Sequence, residues 1–209
     1  MKNKLLIFMF LILIPLMGFS QLNKYIYLVD KVYNEINPDK IKELSPEKIQ
    51  IELMKLGDKV RKENQDEVNE LINELRNKYP NWSDNKLLKE YFKNFMFLAI
   101  DRCPVYFELM LIPLGNCPKE NNSLILIKQE AEKFINNNSA KSSIELNDLV
   151  IQHIITIVFD NKELIEKDYK DGIANPQFMK DMNSYLFHRS KDYMKLVLSV
   201  QIDKMLDKQ

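Results

Sequence analysis

The chain has 209 residues, with 30 Lys and Arg against 30 Asp and Glu and a formal net charge of zero at pH 7. Charges of both signs are interspersed through the polar stretches, which leaves no clustered basic footprint of the kind nucleic-acid binding leans on. With 4 glycines, 2 histidines and 2 cysteines in all, the composition argues against a turn-rich sandwich or barrel and against a metal centre, and no cofactor is expected.

The first twenty residues read as a secretory signal. Lys2 and Lys4 precede an uncharged apolar run at 5–17, and the small residues Gly18 and Ser20 flank Phe19. A basic start, an apolar stretch of this length and a small-x-small site predict cleavage after Ser20, leaving Gln21 first. The run contains Pro15 and is shorter than the roughly 20 residues that span a bilayer, so no membrane span is expected after cleavage. The arrangement looks like the export signal of a Gram-negative bacterium. It places residues 21–209, read as a single domain, in the periplasm or outside the cell.

Tyr25, Leu28, Val29, Val32 and Ile36 recur at helical spacing, predicting a first helix that stops before Pro38. Ser45 and Pro46 open a second, as N-cap and first helical residue. Its apolar positions Ile49, Leu53, Leu56 and Val60 resume in phase at Leu71 and Leu75 across the polar stretch 61–67. One long helix is favoured there over a hairpin broken near Asn64. After Pro80, Ser83 caps a helix through Leu87, Tyr91, Phe92, Phe95, Met96 and Ala99, whose apolar residues cover so much of its circumference that it is expected to be central.

A short apolar piece follows at 103–117, then a helix at 124–136. Residues 144–159 are apolar nearly all round and predict a second buried helix. Gly172 reads as a stop signal, and a last helix from Pro176 places Met179, Met182, Leu186, Tyr193, Val197 and Val200 on one side. The expectation is an all-α chain forming a single bundle of six to seven helices behind the signal.

Cys103 and Cys117 are the only cysteines. Export would carry them into an oxidising compartment, where a bridge closing a loop of about 15 residues would contribute roughly 3 kcal/mol in the chain-entropy account. A disulfide is therefore expected, ahead of two reduced thiols packed as small apolar residues. The spacing is not that of a redox-active Cys-x-x-Cys.

Glu108, the single charge between the cysteines, is the sharpest catalytic suggestion, because a carboxyl group among Tyr106, Phe107, Leu109 and Met110 could serve as a proton donor. An amphipathic turn that points it to water is the preferred reading. His153 lies in the apolar run 150–155 and reads as a hydrogen-bonded structural residue. Arg189, in phase with Leu186 and Tyr193, suits an anionic ligand in a bundle cleft, though pairing with a core acid is favoured. Trp82, between Pro80 and Ser83 at an interhelical turn, could anchor a partner but more commonly such a residue caps the end of a bundle. The stretch 168–172 superficially resembles a calcium loop but lacks its alternating oxygen ligands. Three Asn-x-Ser triplets, at Asn81, Asn121 and Asn137, carry weight only in a eukaryotic host.

No catalytic, metal-binding or nucleotide-binding motif is present. The leading expectation is a non-enzymatic module that binds another protein, which requires a contiguous exposed patch of apolar and aromatic residues. The alternatives are a hydrolase-like envelope enzyme, which requires Glu108 and a histidine in one concave site, and a structural envelope component.

Overall fold

A computed structural model describes residues 21–206. The predicted signal peptide lies outside the described residues. Among them the chain is all helical, with eleven α-helices, two short 3-10 turns and no strand. The helices gather into two compact units, the first ending at Leu109 and the second starting at Met110.

The first unit opens with α1 (21–35) and the one-turn α2 (Pro38–Lys42). Pro38 not only ends the first helix but starts the next, with Asn37 accepting from the Lys40 amide at 3.2 Å. Then come α3 (Pro46–Glu63), α4 (Gln65–Lys78), α5 (Asp84–Arg102) and α6 (Pro104–Leu111). The single long helix expected across the polar stretch is not formed. The chain breaks at Asn64, where φ −124° and ψ 47° leave the helical region. The Asn64 side chain donates to the Val60 carbonyl at 2.7 Å, occupying an acceptor at the end of α3. No apolar residue lies between Val60 and Val68 to hold a continuous helix against the core. Lys24 on α1 joins Glu70 and Glu74 on α4, each at 2.7 Å, and Tyr25 stacks on Tyr91 of α5 with ring centroids 5.7 Å apart. Helix α5, expected to be central, buries Leu87, Tyr91, Ala99 and Ile100, while Phe92, Phe95 and Met96 are only half-buried.

The second unit contains a 3-10 turn (Ile112–Leu114), α7 (Asn122–Asn137), α8 (Ser143–Asp160), α9 (Lys162–Asp168), a second 3-10 turn (Gly172–Ala174), α10 (Pro176–Arg189) and α11 (Lys191–Leu206). Its core joins Leu124, Ile127 and Ala131 of α7 to Val150, Ile154 and Ile157 of α8, with Phe178, Tyr185 and Leu186 of α10. Asp168, at the end of α9, accepts from the Ser123 amide at 2.8 Å and from the Ser123 hydroxyl. It thereby caps the first turn of α7, where a carboxylate also meets the positive end of the helix dipole. That role accounts for the first acid of the stretch resembling a calcium loop. Gly172 has φ +57°, and a Cβ there would stand 2.7 Å from Cγ of Glu166, so the position requires glycine.

The helix expected from Pro176 onwards is two helices. Ser190, fully buried and extended, ends α10, and its hydroxyl accepts from the Tyr193 amide at 3.2 Å as the cap of α11. This break, the one at Asn64 and the short helices α2, α6 and α9 account for a count above the six to seven expected. Replacing Ser190 with alanine removes the cap and is expected to cost about 1 kcal/mol, lowering the Tm by roughly 2–4 °C in a domain of this size. Thermal unfolding followed by circular dichroism checks this; an unchanged Tm would show that packing alone holds the break.

Candidate functional site

Helix α8 is apolar nearly all round, but only one side of it is covered. It packs against α7 and α11, and Leu146, Val150, Ile154, Ile157 and Val158 are buried in doing so. At 100° per residue the exposed apolar positions Ile144, Ile151 and Ile155 with Phe159 fall within roughly 80° of arc on the other side. They are 42%, 44%, 49% and 64% exposed. The expectation of a second buried helix is thus corrected: α8 is half in the core and half in water. The stripe runs about 22 Å along the helix at 1.5 Å per residue. Asp148 stands within it, exposed, Glu145 borders it about 40° round from Phe159, and Asp160 lies on another side of the helix, about 100° round from Phe159. Glu145 is paired with Lys141 at 2.7 Å, whereas Asp148 and Asp160 form no ion pair among the described residues.

The residues singled out by sequence are placed elsewhere. Trp82 is stacked on Tyr79, with centroids 3.9 Å apart and planes 5° from parallel, and the Lys86 ammonium lies 4.2 Å from its ring centre. One ring face meets tyrosine and the other a cation, so Trp82 locks the turn between α4 and α5 and offers neither face to a partner. Arg189 is exposed, not on the inner side. The break at Ser190 separates it from the phase of Tyr193, and its Nε is 3.9 Å from Glu120, both side chains about half in water. Such a pair contributes little.

Glu108 projects to water from α6, as the preferred reading had it. His153 is half-buried and stacked on Phe134, with centroids 4.3 Å apart. The ring nitrogens of His188 lie 2.8 Å from the Ser184 carbonyl and 3.0 Å from the Gly115 carbonyl, tying α10 to the turn at Gly115. Beside it the Tyr185 hydroxyl donates to Glu120 at 2.8 Å, and burial followed by that bond pushes the phenol up to about 12. Neither histidine has a carboxylate among the hydrogen-bond partners found for its ring, the orienting contact a general base would need.

The expected Cys103–Cys117 disulfide is not formed in the structure, where both are free thiols. Cys103 is buried at the end of α5, and its sulfur accepts from the Tyr106 amide at 3.3 Å, so it serves the start of α6. Burial pushes its thiol up, an effect the amide partly offsets. Among the described residues no group of three or more His, Cys, Asp and Glu side chains is placed to hold a metal ion, and no helix is long and apolar enough to cross a membrane.

A scan against protein-family models finds no match, and neither curated proteins nor solved structures give a significant match to this chain.

The thiols give a direct check. Thiolate is the reactive form, so in protein purified without reductant, at pH 8, iodoacetamide is expected to modify half-exposed Cys117 well ahead of Cys103, whose rate rises as pH climbs toward its raised pKa. Peptide mass mapping over time reads both rates. Absence of label at either position until reductant is added would show the bridge instead.

Proposed function

We propose that this is an exported, non-enzymatic protein-binding module, working in the periplasm or outside the cell, that docks its partner on the open face of α8. The observation that supports it is the stripe of Ile144, Ile151, Ile155 and Phe159. Leaving each of these side chains about half in water forgoes about 1 kcal/mol of burial. Contiguous apolar surface of this kind is characteristic of interaction sites. A stripe of about four turns suits the centre of an interface, where a few apolar and aromatic residues dominate affinity.

Export rests on the basic and apolar pattern of residues 1–20, and the processed protein is expected to begin at Gln21, as N-terminal sequencing of the native protein would read. Glu108, Arg189 and Trp82 have no part in docking, since the first two are solvated and the third is engaged within its own turn.

A photo-crosslinking residue at position 155, introduced into the full chain in its native host, tests the docking face. One defined adduct is expected there and none from a probe at the exposed Lys133 on α7. Adding Phe159→Glu is expected to abolish the adduct while leaving stability within about 0.5 kcal/mol, as at other exposed positions. An adduct indifferent to Phe159→Glu, or equal capture at both probes, would refute docking through α8.

A further inference from the structure

At the start of a chain, glutamine carries both halves of a reaction. Its α-amine is free, and its side-chain carboxamide stands where that amine can close a five-membered ring on it. At any internal position the same nitrogen belongs to a peptide bond and does not attack. Cleavage after Ser20 would bring Gln21 into the reactive position.

The structure favours the product there. Gln21 is helical, so in the processed chain it is the first residue of α1, with nothing ahead of it to cap the helix. The turn 21–24 contains no acid and ends in Lys24. The two carboxylates that α4 brings to this turn, Glu70 and Glu74, are already on the Lys24 ammonium, each at 2.7 Å. Tyr25, Leu28 and Val29 are buried just beyond and hold the start of the helix in place. An ammonium on Gln21 would add charge to the positive end of the helix dipole, which disfavours it and favours the uncharged amine, the form that attacks. Ring closure leaves a neutral lactam. The first helical position also tolerates a proline-like ring, because its N–H has no intrahelical partner in any case.

Resting on the reading of residues 1–20 as a cleaved signal, we infer that Gln21 is a modification site and that the processed chain begins with a pyroglutamyl residue. The uncharged α-amine attacks Cδ of its own side chain. The N–Cδ bond forms as the Cδ–Nε2 bond breaks, one amine proton passes to the leaving nitrogen, and ammonia departs. The step is internal and consumes no oxidant, reductant or second substrate. The resulting terminus has lost its charge, and exopeptidases that require a free α-amine have nothing to hold. Its start at position 21 is read by mass, not by chemistry that needs that amine.

Protein purified from the native host and cut before Asp30 releases a first peptide that ends at Val29. Mass spectrometry is expected to find it starting at position 21 and lighter by one ammonia in most molecules. An isotope-labelled peptide of the same sequence with intact glutamine, added before digestion, reads the cyclisation caused by handling, and the native peptide is expected to exceed it. Gln21→Asn is expected to keep its amine, since a side chain one methylene shorter would have to close a four-membered ring. A native peptide that starts at Gln21 with its amine intact, or that is cyclised no more than the labelled one, would overturn the modification and leave the cleavage standing. Loss of ammonia from Gln21→Asn as well would place the loss at another residue, such as Asn23, and also overturn it. A native chain that begins at Met1, or at any residue other than Gln21, would overturn the expected cleavage and the modification with it.

Discussion

The packing of α8 against α7 and α11 organises the second unit and leaves its surface unfinished. A helix presents side chains through a full turn, whereas two neighbours on one side cover only part of it. Leu146, Val150, Ile154, Ile157 and Val158 go into the core on that side. They hold α7 and α11 to a common helix, and α10 then closes over α7 with Phe178, Tyr185 and Leu186. The apolar residues on the remaining arc have no such cover. The candidate surface is thus the other side of the helix on which the unit's core is built, which gives it a rigid backbone and costs it little ordering on binding.

Polar side chains decide where the helices end. Asn64 and Ser190 each interrupt what is otherwise a continuous apolar register, one by occupying a carbonyl, the other by capping the next helix. Asp168 holds α9 to the first turn of α7, and His188 ties α10 to the turn at Gly115. These contacts use groups that sequence alone offers equally for chemistry, and the structure spends them on helix ends and on ties between elements. Asp148, which lies among the exposed isoleucines of α8, forms no ion pair among the described residues.

Much of the architecture is legible in the sequence. The spacing of Tyr25 to Ile36, the Ser45-Pro46 start, the Ser83 cap and the helix over 124–136 all correspond to helices in the structure. The preference for an exposed Glu108 also matches. The stripe on α8 is not legible, because a helix that is apolar all round looks the same whether it has neighbours on every side or on one. Ile144, Ile151, Ile155 and Phe159 have helical spacing, but so do the residues that are buried. Arg189 misled for a related reason: its phase with Tyr193 holds only if the helix continues through Ser190.

The sequence by itself determined the helical class, the main helix starts and the expectation of export. These depend on local quantities: periodicity, capping side chains, proline and an apolar run of characteristic length. Which apolar face stays in water was decided by the tertiary structure alone, because exposure depends on how many helices pack around a given one, and that number is set by residues far away in the chain.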